Sequence, residues 1–158
     1  MQFINKFKIF IILTLVYLKK KIMYPNEIVQ PMKEELTSVG FKELLNETQT
    51  IESIKKHGTT LVVVNSVCGC AAANARPGVK MSLKNIKKPN NLYTVFAGVD
   101  VEATTAARDM MAPFPPSSPS IALFKNGELI HMLERHHIEG RSAEMIAENL
   151  VTAYEEHC

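Results

Sequence analysis

Two cysteines separated by one glycine, Cys68-Gly69-Cys70, are the residues of this sequence best suited to chemistry. They follow a short apolar run at 61–64, whose composition and length indicate a buried strand. They precede an alanine-rich segment, 71–76, made mostly of strong helix formers. A cysteine at the N-terminus of a helix lies near a partial positive charge, which favours the thiolate over the thiol. Because the thiolate is the reactive form, the pattern predicts a thiol–disulfide enzyme.

The other roles open to the pair are metal binding and an inert structural contact. The third cysteine, Cys158, ends the chain, and three is an odd and small count for a secreted disulfide scaffold. Structural zinc usually takes four Cys or His ligands, and this set offers too few, so no metal site is predicted. We expect Cys158 to be a frayed terminal thiol, with a third redox partner as the alternative.

The composition is that of one globular domain without a surface for nucleic acid. The chain has 158 residues, of which 46% are hydrophobic and 22% charged, with a formal net charge of +2. Five of its 18 basic residues fall in residues 1–22, which contain no acid, so the rest has 13 basic against 16 acidic residues. A mildly acidic body gives no support to a nucleic-acid partner.

Residues 1–22 are predicted to lie outside this domain. Their apolar run, 9–18, is shorter than the ~20 residues that a membrane-spanning helix needs. Lysines 19–21 stand where a signal peptide would have its small-residue cleavage site. We therefore expect a mis-assigned start, with translation beginning at Met23. A membrane-contacting leader and a secretory signal are the alternatives. Only in these cases would the protein associate with a membrane or be exported. The domain is taken as residues 23–158.

The first half of this domain predicts helix, strand and helix. Apolar residues recur at helical spacing through 28–46, with Gly40 as the stop, and Thr50 is expected to cap a short helix that ends at Gly58. A buried strand follows at 60–66. The helix after the cysteines meets Pro77, which should kink or interrupt it.

The second half predicts three more strands and two helices. A strand at 92–99 precedes a helix over 101–111 that Asp100 can cap, and a proline-rich loop fills 112–119. Strands at 120–124 and 129–133 form a hairpin around Asn126-Gly127, and Ser142 caps a final helix. A strand–helix–strand unit implies a parallel crossover, and the hairpin adds an antiparallel pair. The predicted fold class is therefore α/β, a mixed sheet flanked by helices on both faces.

Four stretches of the sequence resemble the bacilliredoxin family, which has a thioredoxin-like fold. They are Val64–Ala72, Ala75–Gly78, Pro115–Ser120 and Ile138–Ala143, and the resemblance spans residues of about 24–158. The chain differs from thioredoxin itself in its one-residue spacer between the cysteines. It also has Val67 in place of the tryptophan before the first cysteine, and Val62 in place of a buried acid.

The resemblance implies the removal of bacillithiol, a low-molecular-weight thiol, from mixed disulfides on proteins. It makes Cys68 the nucleophile, Cys70 the resolving thiol, and Pro119, after Ser118, a site-shaping cis-proline that faces the cysteines. It further implies no tightly bound cofactor, bacillithiol as co-substrate, bacillithiolated or disulfide-bonded client proteins, a recycling reductase and a cytoplasmic location. A general disulfide isomerase or weak thioredoxin-like reductase is the alternative enzyme, and a module for thiophilic metals is the alternative of another class.

Three polar residues near the motif are candidates for binding the small thiol: Asn65, Arg76 and Ser118. Arg76 can stabilise a thiolate or a bacillithiol carboxylate, but a helix-surface position with a local partner is the stronger expectation. For Asn65 the competing interpretation is local hydrogen bonding to the backbone. His136 and His137 are expected to be solvated loop residues.

Overall fold

A five-stranded mixed sheet forms the centre of the computed structural model, which describes residues 24–158. The strands are β1 (Lys42–Glu43), β2 (Thr59–Asn65), β3 (Asn91–Phe96), β4 (Ser120–Lys125) and β5 (Glu128–Leu133). The helices are α1 (Asn26–Thr37), α2 (Glu47–Ile54), α3 (Arg76–Ser82), α4 (Val101–Met110), α5 (Arg135–Ile138) and α6 (Ala143–His157), with a π-helical turn (Ala71–Ala75) directly before α3.

The order of strands across the sheet is β1-β3-β2-β4-β5. The strands β1, β3 and β2 are parallel, whereas β4 runs antiparallel to β2 and β5 antiparallel to β4. The central strand β2 is buried along its whole length, which agrees with the apolar run 61–64 at its centre. Its carboxyl end leads directly into the cysteine pair, so the best-packed strand of the sheet positions the site.

Alternate side chains of β2 enter two different cores. Leu61 and Val63 pack on the face covered by α1, α3 and α6, and Val62 and Val64 pack on the face covered by α2 and α4. Successive residues of a strand point to opposite faces, which explains the division. The predicted mixed sheet with helices on both faces is confirmed.

Two local predictions in the second half are confirmed by backbone geometry. Asn126 and Gly127 have φ values of 52° and 86°, the positive values that a two-residue hairpin turn requires. The Ser142 side chain caps α6 by accepting a hydrogen bond from the Met145 N–H.

The expected cap of α2 is wrong, and the expected cap of α4 has the right position but no side-chain bond. Asn46 caps α2, because its backbone is extended and its side chain accepts the Gln49 N–H at 2.9 Å. Thr50 lies inside that helix, and its hydroxyl donates to the Asn46 carbonyl. Asp100 is the N-cap residue of α4, as predicted, but its side chain makes no cap bond, because its carboxylate accepts hydrogen bonds from Lys33 and the Phe96 N–H instead.

Several boundaries also differ from the predicted ones. Helix α1 ends at Thr37, and β3 ends at Phe96, where a turn with a positive φ at Gly98 begins. The elements β1 and α5 were not predicted, because two and four residues are too short to show a period. Consequently His136 and His137 lie in a short helix rather than a loop, although both are exposed.

Pro77 interrupts the helix after the cysteines, as predicted, and the interruption is a change of helix type. The Arg76 N–H donates to the Ala71 carbonyl in the wider π-helical pattern, and the α-helical pattern begins at Arg76 with the proline in its first turn. Proline has no N–H to donate and fits the first turn of an α-helix, where no donor is needed. Within residues 24–158, no helix is both long enough and apolar enough to cross a membrane. The predicted leader, 1–22, lies outside the described residues.

Candidate active site

Cys68 and Cys70 are joined by a disulfide in the loop between β2 and the π-helical turn. Their Cα atoms lie 5.4 Å apart, and both side chains are half-buried around the exposed Gly69. A half-buried disulfide on a loop is accessible to an attacking thiolate, which an inert structural pair inside a core is not.

Two donors converge on the sulfur of Cys68. Its Sγ atom accepts hydrogen bonds from the Ser66 hydroxyl and from the Ala71 N–H, each at 3.3 Å. Hydrogen bonds to the charged form of a group favour that form, so these donors stabilise a thiolate at Cys68 in the reduced protein. Sequence reasoning missed Ser66. The available signal was its position two residues before the first cysteine, within the stretch that resembles the family.

An open pocket of about 280 Å³ lies beside the disulfide. Cys68 lines this pocket together with Ser66, Ser118, Arg108 and Arg135, whereas Cys70 does not. We call this cavity the Cys68 pocket. Chain segments separated by up to 111 residues meet here, from Tyr24 to Arg135. The carboxyl ends of β2 and β3 and the loop before β4 lie at the same end of the sheet.

Ser118 is brought to the Cys68 pocket, and the peptide bond between Ser118 and the buried Pro119 is cis. The Ser118 carbonyl accepts a hydrogen bond from the Arg135 guanidinium at 3.3 Å. The Arg135 main-chain N–H donates to the Ser117 hydroxyl at 3.3 Å, so α5 is attached at two points to the loop before β4. That Pro119 shapes the site for exchange stays a prediction.

Arg76 is buried, with an exposed fraction of 2%, so the expected helix-surface position is wrong. Its guanidinium donates to the Asn65 side-chain oxygen and to the Ser66 carbonyl, both at 3.1 Å. Its Nε lies 3.1 Å from the Glu35 carboxylate of α1 without the alignment of a hydrogen bond, which makes this contact an ion pair. The residue was misjudged because its acidic partner lies 41 positions away in the chain.

Asn65 connects Arg76 to the loop of the cysteines. Its side-chain oxygen accepts the Ser66 N–H at 2.8 Å, and its amide donates to the Met32 carbonyl at 3.0 Å. Local backbone hydrogen bonding, the competing interpretation for this residue, is therefore present. Neither Asn65 nor Arg76 lines the Cys68 pocket. The two side chains fix the backbone of Ser66, whose hydroxyl contacts the reactive sulfur.

Arg108 and Arg135 are pocket residues that sequence reasoning missed. Arg108 lies in the last turn of α4, where a cation is favourable, and burial lowers its pKa below the ordinary value. Arg135 opens α5, an element too short to predict. No local pattern places either residue near Cys68, since they are 40 and 67 positions away.

A buried charge cluster supports the turn at the edge of the pocket. Lys33 Nζ lies 2.6 Å from Glu43 and 3.1 Å from Asp100, whose carboxylate also accepts the Phe96 N–H. Burial by itself would lower the pKa of Lys33, but the hydrogen bonds that its ammonium donates to Glu43 and Asp100 raise that pKa above the ordinary value. The cluster therefore ties α1 to the turn after β3, which carries Gly98 into the pocket wall.

Cys158 and a group of three possible metal ligands do not line the Cys68 pocket. Cys158 is a free, exposed thiol at the end of α6. In residues 24–158, one group of three possible ligands is close enough to hold a metal ion, and it comprises Glu134, His136 and His137. In that group His137 Nδ1 already accepts the Glu134 N–H at 3.1 Å.

Comparison with known proteins gives the family. The family model described as "Disulphide isomerase" matches residues 24–158. A bacilliredoxin of Cytophaga hutchinsonii is 57% identical over 134 residues, which cover 85% of this chain and 99% of that protein. The chain belongs to the bacilliredoxin family. A bacilliredoxin of Halalkalibacterium halodurans is 52% identical over 136 residues, with 85% of this chain and 94% of that protein covered. The enzyme is thus a thiol–disulfide oxidoreductase, as predicted.

Solved structures confirm the thioredoxin fold. Oxidised mitochondrial thioredoxin 3 of Saccharomyces cerevisiae superposes with a TM-score of 0.52 at 16% identity, covering 77% of this chain and 98% of that one. Oxidised thioredoxin of Plasmodium falciparum gives a TM-score of 0.51 at 16% identity, covering 73% and 98%. At such identities the likeness concerns the fold alone.

Proposed function

We propose that this enzyme removes bacillithiol from mixed disulfides on client proteins in the cytoplasm. The observation that carries the proposal is the asymmetry of the pair: Cys68 lines the pocket and accepts two hydrogen bonds, whereas Cys70 lies outside it. A sulfur that is both accessible and held by donors is the better nucleophile of the two. The names of the relatives, bacilliredoxins in two bacteria, support bacillithiol as the small thiol.

The first step is an exchange at Cys68. Its thiolate attacks the bacillithiol sulfur of the mixed disulfide, a bond forms between Cys68 and bacillithiol, and the bond to the client breaks. The client leaves as a thiolate and takes a proton from water. The two donors, Ser66 and Ala71, hold the attacking charge before the bond forms.

The second step releases bacillithiol by one of two routes. The Cys70 thiolate attacks Cys68 Sγ, which forms the Cys68–Cys70 disulfide of this structure and expels bacillithiol as a thiolate. Alternatively a free bacillithiol thiolate attacks the bound one, which leaves bacillithiol disulfide and a Cys68 thiolate. The first route leaves the enzyme oxidised by two electrons, so a recycling reductase must reduce it. The cycle uses bacillithiol as co-substrate and no tightly bound cofactor.

Residues 23–158 are proposed as the unit that performs this cycle. Pro119 shapes the pocket beside Ser118, and Asn65 and Arg76 hold the backbone of Ser66 rather than the small thiol itself. The roles of Asn65 and Arg76 are therefore structural support of the nucleophile.

The test compares two adducts of one client protein that has a single cysteine. We expect the enzyme to release the client thiol rapidly from the bacillithiol adduct and not from the glutathione adduct, as measured by mass spectrometry. Equal rates with both adducts would contradict the proposal. Bacillithiol should also be detectable in extracts of the source cell.

The second candidate function is general disulfide isomerisation, which the description of the matching family model favours. A disulfide isomerase would restore activity to a scrambled disulfide protein whether or not bacillithiol is present. Rapid recovery of such a substrate, together with no release from the bacillithiol adduct, would favour this candidate.

A further inference from the structure

Arg108 presents an unpaired cation to the Cys68 pocket. Its Nε atom is buried and has no hydrogen-bond partner among residues 24–158. Among the described residues, no carboxylate forms a salt bridge with its guanidinium. A buried donor on a charged group is unfavourable when it has no partner, which indicates that the partner comes from outside the described residues.

Arg135 adds a second guanidinium to the same pocket. Its Nη1 donates to the Ser118 carbonyl, and its Nε forms an exposed ion pair with Glu139 at 3.3 Å. These contacts orient the planar group beside the loop before β4 and leave other N–H donors free. An arginine has five donors in a fixed fork, which suits it to binding a carboxylate.

The pocket is electropositive although the body of the protein is mildly acidic. The described residues that line it include both arginines and no Asp or Glu. Its volume of about 280 Å³ is near the small end of ligand pockets, which span roughly 300–1,000 Å³. The space is large enough for the polar end of a small molecule.

We propose that Arg108 and Arg135 form an anion-binding subsite that holds the carboxylates of the small-thiol half of the mixed disulfide. This inference rests on the proposed function, since it concerns the bacillithiol side of the exchange. Binding those carboxylates beside Cys68 places the small-thiol sulfur, rather than the client sulfur, against the nucleophile. The subsite thereby selects which of the two sulfurs is attacked and favours small thiols that carry negative charge.

The decisive experiment varies the charge of the small thiol on one client protein. The client is loaded separately with mercaptoethanol, which is neutral, and with mercaptosuccinate, which carries two carboxylates. The quantity measured is the ratio of the rate constants for client release, anionic adduct over neutral adduct. Both arginines also favour the Cys68 thiolate, so losing either one would slow release from both adducts. The rate constant for the neutral adduct therefore serves as the reference.

We expect the parent enzyme to prefer the mercaptosuccinate adduct. Arg108→Gln should lower the ratio by at least about tenfold, as expected for the loss of a hydrogen bond to a charged group. Arg108→Lys should recover part of it, because lysine keeps the charge but not the fork. Arg141→Gln is the matched control, since it removes the same charge from an exposed residue outside the pocket, and it should keep the parent ratio.

The outcomes separate this inference from the proposed function. The subsite would be overturned if Arg108→Gln and Arg135→Gln both kept the parent ratio. Equal slowing of the two adducts, as expected if acidic residues of the client bound the arginines, is one such result. A preference for mercaptosuccinate without activity on the bacillithiol adduct would support the subsite and overturn bacillithiol as the substrate. If Arg108→Gln does not fold by circular dichroism, the exposed Arg135→Gln decides the question alone.

Discussion

At the scale of single residues, two cysteines separated by one glycine have different chemistry. Cys68 has the pocket and the two donors, whereas Cys70 is the N-cap of the π-helical turn and makes no side-chain cap bond. This difference leads to distinct expectations for the two serine variants.

Cys68→Ser should abolish transfer of bacillithiol, because it removes the nucleophile. Cys70→Ser should still accept bacillithiol and accumulate the mixed disulfide at Cys68, because only the resolving thiol is missing. Mass spectrometry of each variant after mixing with a bacillithiolated client measures the adduct and its position. In the reduced protein we also expect the Cys68 pKa to lie below ~8.5, the value of a free cysteine.

The roles would be reversed if Cys68→Ser captured the adduct at Cys70 as fast as the parent captures it at Cys68. If neither variant captured the adduct and both bound zinc or copper stoichiometrically, the redox function itself would be wrong. Cys158→Ser is the control, since this exposed thiol lies outside the pocket.

Arg76 is expected to support the nucleophile through the Ser66 backbone. Arg76→Met should lower the free energy of unfolding by about 1.5–3 kcal/mol, the range for a hydrogen bond that involves a charged group. It should also slow exchange at Cys68, because it leaves the Ser66 carbonyl without its buried donor. Chemical denaturation and the release assay measure the two effects.

The matched control is Glu35→Gln, which removes the ion pair but keeps both hydrogen bonds of Arg76. Because Glu35 is partly exposed, with a side-chain exposed fraction of 38%, this change should cost less than about 1 kcal/mol. Similar losses in the two variants would show that the ion pair, rather than the hydrogen bonds to the loop, carries the stabilisation.

At the scale of secondary structure, the contact between α3 and α6 depends on the absence of a side chain at Gly78. A Cβ atom at this position would lie 2.8 Å from the Ile146 side chain and 2.9 Å from the Ala143 carbonyl oxygen. Gly78→Ala should therefore destabilise the protein by about 1–3 kcal/mol, as overpacking does. Equilibrium denaturation measures the loss.

Gly69→Ala is the control for stability, because nothing lies within 4 Å of a Cβ at that position. An unchanged midpoint for Gly78→Ala would show that the two helices separate easily. That result would contradict the close packing of α3 on α6.

The same helix pair predicts a loss of stability at alkaline pH. Tyr154 is fully buried in α6, and its hydroxyl lies 3.1 Å from that of Ser82 in α3. Burial raises the pKa of Tyr154 above its ordinary value of 10.0. The folded state then holds a proton that the unfolded chain releases, so the stabilisation is complete below pH 10 and lost as the pH rises beyond it.

We expect the free energy of unfolding to fall above pH 10 with a contribution of up to ~1.4 kcal/mol per pH unit from this residue. Tyr154→Phe should make the fall of the free energy of unfolding with pH less steep. Near neutral pH the same variant lacks one hydrogen bond of the parent. Tyr24→Phe, at a half-buried tyrosine outside this core, should keep the parent slope. Equal slopes in all three proteins would refute the assignment to Tyr154.

At the scale of the whole molecule, residues 24–158 contain the sheet, both cores and the pocket. The family model matches the same residues. We therefore predict that a chain starting at Met23 folds and exchanges disulfides as fast as the full chain. Thermal unfolding and the release assay compare the two. A lower midpoint or a slower rate in the shorter chain would mean that residues 1–22 contribute to the domain.

The sequence by itself determined the features that depend on near neighbours. The buried strand before the cysteines, the Asn126-Gly127 hairpin and the Ser142 cap were all predicted, because each follows from periodicity, positive φ or a side chain that bonds the next turn. The order of helices and strands then led to the mixed sheet. The motifs of the family added the redox chemistry of Cys68 and Cys70.

Only the tertiary structure decided which distant side chains meet at the nucleophile. Arg108, Ser118 and Arg135 come from three segments that the fold brings to one end of the sheet. No spacing pattern in the sequence predicts that they lie close together. Arg76 was misjudged for the same reason, because its ion-pair partner, Glu35, belongs to α1 and is far away in the sequence. Local preferences arise within a turn or a strand, whereas the partners of a charged side chain depend on how whole elements pack.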